Sequence, residues 1–572
     1  MELRGSKSAR RDGGPPCPSE AESSGEAESL READDRSRPD ALEAVGERAG
    51  RRDAAEIPQQ PPGGGRLGIR RLHRAWPAVP VVLVLLASTG CENTASARPK
   101  PTAVRSAPVA RMCAEPAAGP AKAPAGAVTV DPAVAGDLAA KTRSSPPHTT
   151  FWLRPGRHRL EPNRYAQVIP KEGDSYLGAP GAVLDGRRTN QYAFGGTARN
   201  VTIRYLTVQG FVAPQNEGVV NHDSADGWVI EHSTIRNNSG AGLMAGDRQQ
   251  VRASCLRGNG QYGMNAYKAT GRISGLVVEG NEIVGNNKDD WERRRPGCGC
   301  TGGVKFWAVD GADVRGNWVH DNRGAGLWAD TDNNDFRIED NVLEANDGAA
   351  LIYETSYNAV IRNNTIRRNN WVEGRRYADR GDSFPFATVY LSESGGEPRI
   401  RARTDKIEIY RNVLENNWSG ITLWENADRF CNSPANTSSG DCTLLVKNTK
   451  RCAQPAIATA PLYADCRWRT QRVDIHNNRF VLDKSVVDCT VKCDRMAVLA
   501  NYGTYPDWSP YQGERVAEAI TLEQHNRWHD NVYVGPWKFI AHDPSRILDY
   551  GQWQGMPYQQ DAGSTFRAPD GD

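Results

Sequence analysis

Through the middle of the chain, short runs of alternating apolar and polar residues are closed again and again by an asparagine. The phrase reads VVEGNEIVGN at 277–286, DVRGNWVHDN at 313–322, RIEDNVLEAN at 337–346, VIRNNTIRRN at 360–369 and IYRNVLENN at 409–417. Its Asn falls at 281, 317, 341, 364 and 412, and the cleanest intervals are 24 and 23 residues. Alternation predicts strands with one buried face. A unit of this length cannot bury that face alone, so the period predicts an all-β solenoid whose coils stack and set like positions in ladders. Asparagines in such a ladder satisfy one another and the turn backbone.

A second strand precedes each phrase. The segments align as GVVNHD (218–223), GLMAGD (242–247), GMNAYK (263–268), GVKFWA (303–308), GLWADT (326–331), ALIYET (350–355), TVYLSE (388–393) and GITLWE (420–425). Alternate residues of a strand face opposite ways, which predicts two outward rows. One holds Asn221, Met244, Asn265, Lys305, Trp328, Ile352, Tyr390 and Thr422; the other holds Asp223, Gly246, Tyr267, Trp307, Asp330, Glu354, Ser392 and Trp424. The coils are expected over 146–535, with insertions at 288–301, 370–385 and 427–470, the last opening a Cys-rich stretch to 493. Long solenoid insertions tend to wall a binding groove.

Outside this region composition takes over. Residues 1–65 are rich in Arg, Glu, Ser, Gly and Pro and are expected to be disordered. At 66–91, arginines precede an apolar run too short to span a bilayer, and Ser-Thr-Gly-Cys91 follows. This resembles a bacterial export signal with Cys91 as a lipoprotein acceptor. Lipidation, cleavage without lipidation and an uncleaved segment all remain open, as does a true start near Leu67. The Ala- and Pro-rich stretch 92–145 reads as a flexible linker, and 536–572 as a loose tail. The protein is therefore expected outside the cytoplasm, secreted or on the cell surface, touching membrane only through Cys91. The formal net charge of +2 gives no reason to expect a nucleic-acid partner.

Cysteine usage agrees with export. Apart from Cys17 and Cys91, ten cysteines remain, an even number that favours disulfides in an exported chain. The simplest local pairing joins Cys431 to Cys442, Cys452 to Cys466 and Cys489 to Cys493. Cys298 and Cys300 form only half of a zinc knuckle and are expected in disulfides as well.

The repeated phrase resembles the right-handed parallel β-helix superfamily, the pectate-lyase-like proteins, over roughly 150–535. The resemblance implies that fold and handedness. For function it implies a range: polysaccharide lyases, glycoside hydrolases, uronate epimerases and noncatalytic adhesins. The polygalacturonase-like motif set and the Asp-Pro-His motif of alginate epimerases are absent, which disfavours those two members.

An outward face carrying Tyr267, Trp307, Trp328, Tyr390 and Trp424 suits sugar rings, whose flat faces stack on aromatics while their hydroxyls seek carboxylates and amides. Lys305 is the candidate base for β-elimination from a uronate, with a surface ion pair to Asp330 or Glu354 as the competing reading. Asp330 and Glu354 lie one coil apart, close to the carboxyl spacing of a retaining glycosidase. Asp330 and Asp332 are also candidate Ca²⁺ ligands, though the segment matches a calcium loop only in part. His222 reads as a satisfied core or edge histidine, His320 as part of a turn network with Asp321, and Arg293, Arg294 and Arg295 as an exposed basic loop. The expected partner is an extracellular polysaccharide. Elimination from an acidic glycan leads, ahead of hydrolysis by Asp330 and Glu354 or noncatalytic binding.

Overall fold

The computed structural model describes Val109 and residues 111–567, apart from 296–298, 300–301, 382–383, 385, 428, 434–441, 454, 488–492, 497–498, 500–508 and 512. The disordered tail, the export signal and Cys91 expected from the sequence lie outside the described residues, as do Cys298, Cys300 and Cys489. Among the described residues no helix is long and apolar enough to cross a membrane.

Among those residues the chain winds through two thirteen-stranded sheets and one eight-stranded sheet, and every strand pair within them is parallel. Sheet 1 runs from Val128–Val130 to Arg527–His529, sheet 2 from Gly156–Arg159 to Thr565–Arg567, and sheet 3 from Gly218–Val220 to Ile421–Trp424. The eight coils between Thr202 and Trp424 visit sheets 1, 2 and 3 in turn, and the coils beyond them pair through sheets 1 and 2, the right-handed parallel β-helix expected. Val314, Val319, Leu327 and Ala329 of one coil point inward and are buried against their neighbours above and below. The core is thus a stack of thin apolar layers, which is how units too small to fold alone are stabilised.

The asparagine phrase builds the corner between sheets 1 and 2. Asn281, Asn317, Asn341, Asn364, Asn412, Asn478 and Asn531 each donate a side-chain N–H to the side-chain oxygen of the next ladder member, at 2.9–3.2 Å, and Asn531 donates to the Asp561 carboxylate at 3.0 Å. The second amide hydrogen serves a strand carbonyl, as from Asn341 to Val314 at 2.9 Å. A second ladder, Asn238 to Asn417, lines the corner after sheet 2. Buried turn backbone that would otherwise lack partners is satisfied in this way.

The stack reaches further at both ends than the 146–535 read from the phrase. Val128–Val130 pairs with Phe151–Leu153, and helix Asp137–Ser144 packs Leu138 into the core. Much of the expected linker is therefore folded. Cys113 is bonded to Cys255, its N–H donates to Glu282 at 2.8 Å, and Trp152 donates to the Pro120 carbonyl at 3.0 Å. The expected C-terminal tail also folds: helix Tyr550–Gln554 carries a capping box at Asp549 and buries Trp553 on Phe539. Neither end carries the phrase; in the last coil Asp561 takes the ladder's place for Asn531.

The disulfides Cys431–Cys442 and Cys452–Cys466 form as expected. Cys493 is also in a disulfide.

Candidate functional site

Five strands of sheet 3 carry the outward residues of interest: β1 (Val304–Phe306), β2 (Leu327–Ala329), β3 (Leu351–Glu354), β4 (Val389–Ser392) and β5 (Ile421–Trp424). Their pairing sets Asn265 beside Lys305, then Trp328, Ile352, Tyr390 and Thr422, and sets Glu354 beside Ser392 and Trp424. Both rows read from the sequence thus hold through these strands. Asn221 departs from its row: it turns into the corner with φ 53° and bonds Ala225 and Gln249.

At the centre Lys305 Nζ lies 2.8 Å from Asp330 Oδ2 and donates to the Gly299 carbonyl at 2.6 Å. The same ammonium sits 4.5 Å from the ring centroid of Trp328 and 6.0 Å from that of Trp307. Trp328 Nε1–H in turn donates to Glu354 Oε2 at 3.0 Å. One indole therefore separates an ammonium–carboxylate pair from a second carboxylate. Lys305, Asp330 and Glu354 are 9%, 7% and 5% exposed, whereas Tyr267, Trp307 and Trp328 are half-buried at the rim. Burial opposes charge on Asp330, but Lys305, and more distantly Arg429, outweigh it and hold its carboxyl below the ordinary range. Thr331 reinforces this with N–H and hydroxyl donors at 2.7 and 2.9 Å.

Sequence reading missed two partners of this group. Arg429, from the Cys-rich insertion, bonds Glu354 Oε1 and lies 3.4 Å from Glu393 Oε2. Glu393 follows β4 directly, is fully buried, and accepts from Ser392 Oγ and from Asn426 N–H at 2.9 Å. Burial pushes its carboxyl up to about 7; Arg429 and Ser392 pull the other way without prevailing, and Glu354 adds to the rise. One coil on, Arg467 of the same insertion lies 3.1 Å from buried Glu425. Two successive acids at one coil position were visible in TVYLSE and GITLWE; their arginines were not, because the insertion has no period to align.

The aromatic row divides. Tyr390 and Trp424 are only 2% exposed and belong to an outer cluster with Ile352, Phe384, Ala387 and Ile540. The expected sugar platform is corrected at these two positions: segments from 370–387 and the C-terminal region cover them, so they pack rather than face solvent. Trp291 of the first insertion packs likewise near Met244, Tyr262 and Tyr267.

The remaining candidates sit apart. Asp332 accepts from Trp468 Nε1 at 3.2 Å, while Asp330 faces Lys305. Among the described residues no three His, Cys, Asp or Glu side chains gather to hold a metal ion. His222 is the edge histidine of the two alternatives: it stacks half-buried on Tyr192 at 4.0 Å and pairs with Asp223 at 3.1 Å. His320 lies on sheet 2, bonds Asp321 at 2.6 Å as expected and stacks on Trp318. Arg293 lies 3.6 Å from Asp290 and Arg294 covers Trp291.

Residues 217–402 match the family described as "Right handed beta helix region". Comparison with curated proteins finds no match. Among solved structures, the chain is similar to the A-module of a mannuronan C-5 epimerase from Azotobacter vinelandii, at 11% identity and TM-score 0.36, covering 66% of this chain and 88% of that one. It is also similar to a periplasmic alginate epimerase, at 12% identity and TM-score 0.31, covering 62% and 82%. A PL6 alginate lyase in complex with a trisaccharide matches at 10% identity and TM-score 0.32, covering 78% and 86%.

Proposed function

We propose that this right-handed β-helix acts on an extracellular polysaccharide at the sheet 3 face, by β-elimination from an acidic glycan. The observation that carries the reading is the placing of half-buried Trp328 between Lys305 and Glu354, with Trp307 beside it. Sugar faces stack on indole, and an acidic sugar needs a cation on one side and a proton acceptor on the other. Lys305, paired with Asp330, suits the cation better than the base: its positive charge would neutralise the uronate carboxylate. Glu354 then takes the proton α to that carboxyl. The electron pair left behind forms a carbon–carbon double bond as the glycosidic oxygen departs from the β-carbon and is protonated from solvent. Asp330 holds Lys305 in place; Tyr267 and Trp307 extend the platform. A Ca²⁺ ion on Asp330 and Asp332 would serve the same neutralising purpose and would have to displace Lys305 from Asp330.

Hydrolysis is the second reading. It is favoured by carboxyls pushed apart, Asp330 held ionised and Glu393 kept protonated up to about 7, which is the division of labour between base and acid. The deciding experiment incubates the protein with acidic and neutral polysaccharides, with and without Ca²⁺. Ultraviolet absorbance of an unsaturated product supports elimination. New reducing ends without that absorbance support hydrolysis, and binding with neither product makes this a glycan-binding protein.

A further inference from the structure

Arg429 is shared. Its guanidinium bonds Glu354, which ends β3, and lies 3.4 Å from Glu393, which follows β4 one coil on. Glu354 is fixed on its other oxygen by Trp328, and Glu393 by Ser392 and Asn426. All three ionisable side chains are largely or wholly withdrawn from solvent, with side-chain exposures of 14%, 7% and 0% for Arg429, Glu354 and Glu393. One positive charge thus answers two carboxylates where water screens poorly.

We propose that Glu393 is a positioning residue for Glu354, acting through the shared guanidinium of Arg429. While Glu393 is neutral, Arg429 compensates Glu354 alone. When Glu393 ionises, the guanidinium is divided between two anions, and a second negative charge one coil away raises the proton affinity of Glu354. Among the described residues facing Glu393, Arg429 and Glu354 carry charge, Ser392 and Asn426 donate, the buried Tyr390 phenol lies close enough for Glu393 to disfavour its ionisation, and one coil on Glu425 is held by Arg467. Asp330 adds a further negative charge on the far side of Arg429. Glu393 changes charge near pH 7, so the base of the proposed reaction strengthens as pH passes through that value.

The inference rests on the elimination reading for its consequence in turnover, but not for the coupling itself, and the test separates them. Carboxyl-labelled glutamate is followed by NMR as pH is raised, in the wild type, in Glu393→Gln and in Arg429→Lys. The expected result is a Glu354 resonance that moves with a midpoint near 7 in the wild type, stays still in Glu393→Gln, and moves less in Arg429→Lys. On an acidic glycan, wild-type turnover rises through pH 7. Glu393→Gln loses that limb, by up to about tenfold for each pKa unit of coupling removed, with KM unchanged. A Glu354 resonance indifferent to Glu393 overturns the proposal whatever the glycan assay shows. Coupling by NMR without a turnover limb leaves the positioning intact and overturns Glu354 as base. A Glu393→Gln protein that keeps the wild-type pH profile overturns the positioning of the base.

Discussion

Lys305 and Asp330, on adjacent coils, form an ion pair of 2.8 Å with side chains about one-tenth exposed. Such a pair gains little over apolar packing, yet losing one partner strands a charge in a poorly solvated place, at about 3–5 kcal/mol. Asp330→Asn and Lys305→Met should each destabilise by something near that, and the double variant by much less than their sum. Denaturant unfolding of the cycle checks this; additive losses would show that the two charges do not depend on each other.

Asn341 accepts from Asn317 and donates to Asn364 and to the Val314 carbonyl. Asn341→Ala leaves buried groups on both neighbouring coils without partners, so a loss of at least about 1–3 kcal/mol is expected. Exposed Asn432 stands outside the ladders, and its replacement should cost a fraction of that. Equal losses in urea titration would deny the ladder a structural role.

Glu393 imposes a pH dependence on stability. Its carboxyl titrates near 7 in the fold against 4.5 for an ordinary glutamate. The folded state therefore holds a proton that the unfolded chain has lost. The contribution is complete below 4.5, declines as pH rises, and is gone above 7. The difference amounts to about 3 kcal/mol. Stability of the wild type minus that of Glu393→Gln, measured across that window, should fall with rising pH; a flat or rising difference would contradict the assignment.

The disulfides should differ in worth. Cys431–Cys442 and Cys452–Cys466 close loops of sequence separation 11 and 14, whereas Cys113–Cys255 closes one of 142. Loop-closure entropy alone ranks the last highest, at about 5 kcal/mol against roughly 3 for each of the others. Thermal melts of Cys113→Ser and Cys452→Ser/Cys466→Ser variants should show the larger drop for the first. Non-reducing peptide mapping tests the pairing.

Calcium can be tested without turnover. Occupation of Asp330 and Asp332 by the ion would compete with Lys305 and with Trp468 Nε1. If Ca²⁺ binds there, Lys305→Met should tighten it by removing the competing cation, read by isothermal titration; weaker binding in that variant would place the ion elsewhere.

Fold and register were legible because one residue type, Asn, marks a fixed corner of each coil, and alternation does the rest. The rows through Lys305, Trp328 and Ile352, and through Glu354, Ser392 and Trp424, followed directly from that alignment. What covers a row was not legible. Tyr390 and Trp424 carry the outward signature, but residues distant in sequence, Phe384 and Ile540 among them, pack over them. Arg429 was hidden for the same reason, since it reaches Glu354 from 75 residues away. The end coils escaped notice because Val128–Val130 and Thr565–Arg567, although paired in the sheets, carry no asparagine phrase to align them.

The asparagine ladder is also directional. Every side-chain amide from Asn281 to Asn531 gives one N–H to the ladder member of the next coil and the other to a strand carbonyl of the coil before, and the last in the row meets the buried side chain of Asp561. Side-chain bonds passed along such a row reinforce one another, and Asp561 receives the last of them together with bonds from Tyr533 and Trp553. The two ends of the ladder are therefore chemically unlike. A coil duplicated in the middle would be read as more of the same, whereas the C-terminal end closes on an acceptor that passes no amide bond onward.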